Sequence, residues 1–160
     1  MNLLKSLFVA LTCLVLTGCA VSLPEYEPVE SRRATITLRG LGQELRAIGI
    51  FERDQNDRVR LVIRSNNEII LTLVSVPGGW VAVGPLAGGR GWQGHPDEAP
   101  VEVAGWIVLA EAYEASAHVK ANNSEYRNGR LSANFRFEEI HLASMDVVAV
   151  ATEDRYAVRF

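Results

Sequence analysis

Three histidines, two cysteines and a few acidic pairs are the residues of this 160-residue chain that could carry out chemistry. The histidines, His95, His118 and His141, are too far apart in sequence to form a metal-ligand motif such as His-x3-His. The chain also lacks the Gly-x-Ser-x-Gly elbow that presents a nucleophilic serine. The adjacent acids Glu138 and Glu139 are typical of a solvated strand end rather than of a glycosidase pair. We therefore expect no enzyme activity, no metal and no cofactor.

Both cysteines lie within the first 19 residues. Lys5 and the apolar run 7–16 have the charged start and short hydrophobic stretch of a secretory signal, and the run is too short to span a membrane. The run leads into Leu16-Thr17-Gly18-Cys19, which resembles the lipobox of bacterial lipoproteins. That resemblance implies that the leader, with Cys13, is removed and that the thiol of Cys19 carries a diacylglycerol. The alternative is an ordinary secretory signal with an incidental cysteine.

Membrane attachment through lipidated Cys19 follows from this resemblance. Several acyl chains form a stable anchor, because each buried methylene contributes about 0.8 kcal/mol. The residue after the cysteine is Ala20 rather than aspartate, which in lipoprotein sorting implies delivery to the outer membrane. We therefore expect a lipid-anchored protein on the periplasmic face of the bacterial outer membrane.

The length and the net charge of the rest of the chain limit its number of domains and its possible partners. Without the leader, 160 − 18 leaves 142 residues, with 15 basic and 19 acidic side chains and a net charge of −4. This acidic balance argues against a nucleic-acid partner. We expect a signal peptide at residues 1–18, a lipidated tether at 19–33 and one domain at 34–160. Residues 21–33 contain two prolines and five charges without apolar periodicity, which is typical of a tether.

Short apolar runs separated by turn residues predict an antiparallel sheet from Ala34 onward. The clearest alternation is at residues 58–64, where Val59, Leu61 and Ile63 share one face and arginines share the other. Further strands are predicted at residues 35–39, 43–53, 69–75, 80–83, 125–127, 130–138, 145–152 and 156–160. The dipeptide Asn128-Gly129 is a strong hairpin signal between two of them.

One helix is predicted at about residues 98–117, with Asp97 as its N-cap and Pro100 in its first turn. Its apolar residues cover more than one face, which indicates an enclosed helix. Two uses of that helix remain open at this stage, namely a core helix packed on the sheet and a plug that lines a ligand cavity. Residues 84–94 contain five glycines and predict an irregular loop.

This organisation resembles the LolA/LolB-like lipoprotein-localisation fold, an incomplete antiparallel barrel, closed by helices, that shelters acyl chains. The similarity covers residues 34–160, and its best stretches are RLVI at 60–63, EIILTL at 68–73 and PGGW at 77–80. These stretches are similar to the central strands of the outer-membrane lipoprotein receptor and of related short lipoproteins. The implied fold is mainly β (α+β), an incomplete antiparallel β-barrel or strongly curved sheet with an enclosed helix.

One departure from the receptor bears on activity. The receptor has a protruding apolar loop between two strands, whereas the matching turn here is the polar Arg64-Ser65-Asn66-Asn67. A polar turn cannot bury apolar area in a bilayer, so transfer of lipoproteins into the membrane is not implied. Binding of a hydrophobic ligand is still implied by the resemblance.

The resemblance thus implies binding of an acyl chain or another apolar ligand, in lipoprotein or lipid trafficking, with a lipoprotein as one candidate cargo. The residues expected to line the cavity are Phe51, Leu61, Ile63, Leu71, Leu73, Trp80, Trp106, Leu109 and Tyr113. One alternative is a structural or scaffolding lipoprotein with a solid core that docks an envelope protein. Another is a small transmembrane β-barrel, which is disfavoured because spanning strands need about 9–11 residues and most runs here are shorter.

Overall fold

The structure is a computed structural model that describes residues 20–40, 43–119 and 125–160. The predicted signal peptide and Cys19 lie outside the described residues. Ten strands make up most of the described chain. They are β1 (Pro28–Gly40), β2 (Gln43–Asp54), β3 (Val59–Ser65), β4 (Glu68–Val76), β5 (Gly79–Val83), β6 (Trp92–Gly94), β7 (Glu125–Arg127), β8 (Leu131–Glu138), β9 (His141–Ala149) and β10 (Arg155–Arg159).

All ten strands belong to one antiparallel sheet with the order β6-β5-β4-β3-β2-β1-β10-β9-β8-β7. The chain forms two meanders, β1 to β6 and β7 to β10, which are joined by the pairing of β10 with β1. The edge strands β6 and β7 are three residues each, and no described pairing joins them, so the sheet is open. The prediction of a mainly β protein with an open antiparallel sheet and one helix is confirmed.

Two strand boundaries differ from the predicted ones. Strand β1 begins at Pro28, six residues before the predicted domain, because its first residues pair with the end of β2. Strand β9 covers His141–Ala149 instead of 145–152. The chain already turns after Ala149, whose N–H bonds to the Asp154 carbonyl at 2.9 Å, and Glu153 in this turn adopts a φ of 58°.

The single α-helix, α1, spans Val101–Ser116. Asp97 does not cap it, so that prediction is wrong. Asp97 lies in a short 3-10 turn at Pro96–Glu98, and the helix instead begins after Pro100. The Pro100 carbonyl accepts hydrogen bonds from the N–H groups of Val103 and Ala104, at 2.9 and 2.8 Å.

The helix is enclosed, as predicted. Residues 106–110 are all buried, and five consecutive positions cover every face of an α-helix. The helix packs against β3, β8 and β9, which belong to both halves of the sheet. The core therefore lies between the helix and the inner face of the sheet.

Gly105 is a point of close approach between α1 and β10. A Cβ atom at this position would lie 2.0 Å from the hydroxyl of the buried Tyr156. Alanine in place of a mid-helix glycine ordinarily stabilises a helix by about 1 kcal/mol. Here we expect Gly105→Ala to lower the free energy of unfolding by about 1–3 kcal/mol, because the added methyl overpacks the contact. Urea denaturation would measure the change.

The hydroxyl of Tyr156 supplies the control. Tyr156→Phe removes the oxygen that the new methyl would meet, so the double variant should be more stable than Gly105→Ala alone. A Gly105→Ala protein more stable than the unchanged one would show that helix and strand do not approach this closely.

Residues 20–27, which we call the strap, lie on the sheet rather than extending away from it. The N–H of Val21 donates to the Arg90 carbonyl at 2.9 Å. The hydroxyl of Tyr26 donates to the Arg58 carbonyl, also at 2.9 Å. The guanidinium carbons of Arg58 and Arg60 lie 5.5 and 4.5 Å from the centroid of the Tyr26 ring. These contacts hold the strap at both ends, in the segment predicted to be a tether.

The strap crosses the outer face of the sheet, opposite the helix. One row of residues in register crosses this face from β2 to β5, and it consists of Glu52, Arg60, Val74 and Val81. Val74 and Val81 are buried but lie outside the core cluster around α1. Because the strap is held at Tyr26 and at the β5–β6 connection, a path between these two points would cover Val74 and Val81 and account for their burial.

Candidate functional site

The nine residues predicted to line a cavity come together in the core. All belong to the hydrophobic cluster around α1, and none is more than 5% exposed. Their rings pack tightly, as shown by Phe51 and Tyr113, whose ring centroids are 5.0 Å apart. None of the nine lines either of the two cavities described next. In this structure six of them lie on strands β2 to β5 and three belong to α1, and all nine are packed side chains of the core.

An apolar pocket of about 250 Å³ lies beside the first half of α1. The helix contributes Ala104, Ile107 and Val108, which form one stripe because they are spaced three and four residues apart. The end of β9 and the turn after it contribute Ala149 and Ala151. The remaining lining residues come from the 3-10 turn and the residue after it, the helix, the β7–β8 turn and the β9–β10 turn, and they are Pro96, Asp97, Ala99, Gly105, Arg130 and Thr152.

Small side chains create this pocket. Alanine and glycine at five lining positions leave space that larger apolar residues would fill. Thr152 and the pair Asp97 and Arg130 are the polar members of the lining, so the pocket combines an apolar wall with a charged border. Such a combination suits a ligand with an apolar part and a polar end.

Arg130 is the cation at this border. Its guanidinium donates to Asp97 Oδ1 at 3.0 Å and to Glu111 Oε1, while its side chain stays 36% exposed. The position of Arg130 is set by the preceding turn, where Asn128 Oδ1 accepts hydrogen bonds from the N–H groups of Arg130 and Leu131. The Asn128-Gly129 turn thus fixes the start of β8 and, with it, the base of the arginine side chain.

A larger polar cleft of about 670 Å³ lies on the other side of Arg130. Its lining residues are Glu111, Glu114, Ala115, His118, Val119, Glu125, Tyr126, Asn128 and Arg130. Burial raises the pKa of Glu111 above its usual range, although the charge of Arg130 acts in the opposite direction. Glu111 Oε2 is buried and has no hydrogen-bond partner in the described part of the chain. Arg130 is therefore shared between an apolar pocket and an acidic cleft.

The three histidines lie in separate parts of the structure. His95 caps the 3-10 turn by accepting from the Asp97 N–H at 3.4 Å, His118 lines the polar cleft, and His141 begins β9. Residues 20–40, 43–119 and 125–160 contain no group of three or more side chains that could hold a metal ion. Within those ranges, no helix combines the length and apolar character needed to cross a membrane.

Sequence reasoning missed the pocket because its lining residues are small. The apolar residues singled out in the sequence were large, and in this fold large apolar residues fill the core. The repeated alanines of α1 and of residues 149–151 were a signal for space between elements, but only the fold shows that the two stretches meet. The chain matches no protein-family model and no curated protein sequence.

Proposed function

We propose that the protein is an outer-membrane lipoprotein, anchored through lipidated Cys19, that binds one acyl chain or a similar apolar ligand without catalysis. The observation that carries this proposal is the apolar pocket beside α1, with the Arg130 guanidinium at its border. An open antiparallel sheet with an enclosed helix is also what the resemblance to the LolA/LolB-like fold implies.

The pocket dimensions favour a single chain. A volume of about 250 Å³ is below the range of about 300–1,000 Å³ that is typical of drug-sized ligand sites. An acyl chain would lie along the helix stripe of Ala104, Ile107 and Val108. Each methylene moved out of water would contribute about 0.8 kcal/mol.

The charged border favours an anionic head group. A carboxylate or phosphate at Arg130 would replace Asp97, whose side chain is 65% exposed and can move into water. Hydrogen bonds between a guanidinium and such anions are strong because both partners are charged. Glu111, the other partner of Arg130, is 12% exposed and would keep the guanidinium in place.

Trafficking of lipids or lipoproteins is the role that we propose for this binding. A lipid anchor would hold the protein at the outer membrane, where an acylated cargo or an envelope protein would meet it. The polar turn Ser65-Asn66-Asn67 makes binding, rather than insertion of cargo into the bilayer, the activity that we propose.

The decisive experiment uses the full chain with Cys19→Ala, secreted and purified from the periplasm without detergent. This variant has no acyl anchor of its own, so any acyl species found with it is a ligand. Native mass spectrometry with lipid extraction should show a bound acyl species, and the apo fraction should take up a fluorescent fatty acid. A clean apo mass with no uptake would contradict the proposal.

Filling the pocket should weaken binding. Ala104→Phe places a ring where the acyl chain would lie, and we expect the Kd for a fluorescent fatty acid to rise at least about tenfold, a loss of about 1.4 kcal/mol. Ala117→Phe is the matched control, because Ala117 is exposed at the helix end and lines neither cavity. Fluorescence titration would measure both variants. Equal Kd values in two variants with unchanged circular dichroism would place the ligand elsewhere.

A structural or scaffolding lipoprotein is the second candidate. It is favoured by the tight packing of the nine core residues, which leaves a solid interior around α1. In this case the short edge strands β6 and β7 would be available to a partner protein. Cross-linking in cells would then yield one specific envelope protein, and the purified chain would carry no ligand.

A further inference from the structure

We infer that the connection between β5 and β6, at residues 84–91, lies against the membrane surface and contacts phospholipid head groups. This inference rests on the proposed lipidation of Cys19. The glycine-rich loop would then be the membrane-facing part of the protein, and the partner of this surface would be the bilayer itself.

The short chain between Cys19 and Val21 limits the distance between the lipid anchor and the loop. Val21 bonds to the Arg90 carbonyl at 2.9 Å, and only Ala20 separates Val21 from Cys19. Two residues span at most about 7 Å. The Arg90 turn must therefore lie within roughly 10 Å of the Cys19 Cα atom, at whose side chain the lipid would begin. That distance is comparable with the thickness of the head-group layer, which is about 5–8 Å on each side of the bilayer.

The strap fixes the chain next to Cys19 relative to the sheet, because it is held at both of its ends. Tyr26 holds the other end of the strap by its ring, which contacts the guanidinium groups of Arg58 and Arg60, and by its hydroxyl. Both arginines are themselves held by acids, since Arg58 donates to Asp54 Oδ2 at 2.6 Å and Arg60 donates to Glu52. Although burial opposes ionisation of Asp54, its hydrogen bonds from Arg58 and Asn56 keep the pKa of this carboxyl below its usual range. The Asp54 carboxyl therefore stays charged at neutral pH and continues to hold Arg58 beside the Tyr26 ring.

A free tether would give a different geometry. The 15 residues of the predicted tether, 19–33, could extend over about 50 Å and let any face of the domain meet the membrane. In the structure, Val21 is held by the β5–β6 connection, Tyr26 is held by Arg58 and Arg60, and Pro28 already belongs to β1. The domain then has one face that is always nearest to the lipid.

The composition of this face suits a membrane surface. The two stretches that meet there, residues 20–24 and 84–94, contain one arginine and no acidic residue. Arg90 is exposed and forms no ion pair within the described ranges, so it is available to phosphate groups. Leu23 is 38% exposed, and Trp92 is half-buried beside the loop. Arginine and tryptophan are residues that membrane interfaces favour.

Site-specific labelling of the lipidated full-length protein tests the inference. Cys19 is the only cysteine left after removal of the leader and would be blocked by lipid, so a new cysteine is the single free thiol. Gly89→Cys places the label in the loop, where an added Cβ meets nothing within 4 Å. Ile140→Cys is the control, because Ile140 is 84% exposed in the β8–β9 turn, at the opposite end of the strands.

The measurement is quenching of a fluorescent label in vesicles of phosphatidylethanolamine and phosphatidylglycerol that contain a lipid with a nitroxide on its head group. We expect at least about threefold stronger quenching at position 89 than at 140, given the short chain between label and anchor. Equal quenching in protein whose intact mass includes the acyl chains would overturn the inference alone. An intact mass without acyl chains would overturn the proposed lipidation and, with it, the inference.

Discussion

Replacing Cys19 with alanine should move the protein from the membrane fraction of cells almost completely into the periplasmic fraction. The reason is that the proposed anchor is covalent lipid, and each methylene buried in the bilayer contributes about 0.8 kcal/mol. One acyl chain gives only marginal binding, whereas the several chains of a lipoprotein hold it stably. Removal of all of them at once should therefore change membrane partitioning by several orders of magnitude.

The measurement combines fractionation with the intact mass of the mature protein. The unchanged protein should sediment with outer membranes and carry the mass of its acyl chains. Cys13→Ala is the matched control, because Cys13 belongs to the predicted leader and its loss should change neither the mature mass nor the fraction. A Cys19→Ala protein that still sediments with membranes after a high-salt wash would show that something other than lipid holds it there.

The strands could be predicted because their signal is local. Alternation at residues 58–64 placed Val59, Leu61 and Ile63 on one face, and all three are completely buried in the structure. The pairing of β1 with β10 is different, since it joins the two ends of the domain and leaves no trace in either strand alone. The prediction therefore gave the kind of sheet but not the order of its strands.

The first residue of the helix was harder to predict than the strands, because two local signals compete there. Asp97 and Pro100 both mark helix starts, but Asp97 is used in a 3-10 turn that precedes the helix. An ion pair with Arg130, 33 residues away, holds Asp97 in that turn. No pattern near residue 97 reports this contact.

The strap and the pocket depend on residues that are distant in sequence. Tyr26 sits in a stretch with prolines and charges, which by composition is typical of a tether, yet its partners are Arg58 and Arg60. The pocket likewise needs alanines from α1 and from the end of β9 to meet. Both features appear only after the strands have been ordered, which is why the candidate binding site could not be predicted from the sequence.

Trp106→Ala should lower the free energy of unfolding by about 3–5 kcal/mol, as expected for truncation of a large aromatic residue in a packed core. Trp106 is 5% exposed and packs edge-on against Tyr156, with ring centroids 5.8 Å apart. Because domains of this size are stable by about 5–15 kcal/mol, the loss would be a large share of the total. Val101→Ala is the control, since Val101 lies in the first turn of the same helix and is 75% exposed.

Trp106→Ala also distinguishes the two roles that the sequence allows for the helix, namely a core helix packed on the sheet and a plug that lines a ligand cavity. A packed core predicts a large loss of stability in urea denaturation and a fatty-acid Kd close to that of the unchanged protein, because Trp106 does not line the apolar pocket. A ligand cavity around the helix predicts the reverse, a loss below about 1 kcal/mol and much weaker binding, because a side chain beside an open cavity has fewer packing contacts to lose. The ratio of the two effects at Trp106 therefore locates the ligand, either in the pocket at Ala104 or among the nine residues around α1.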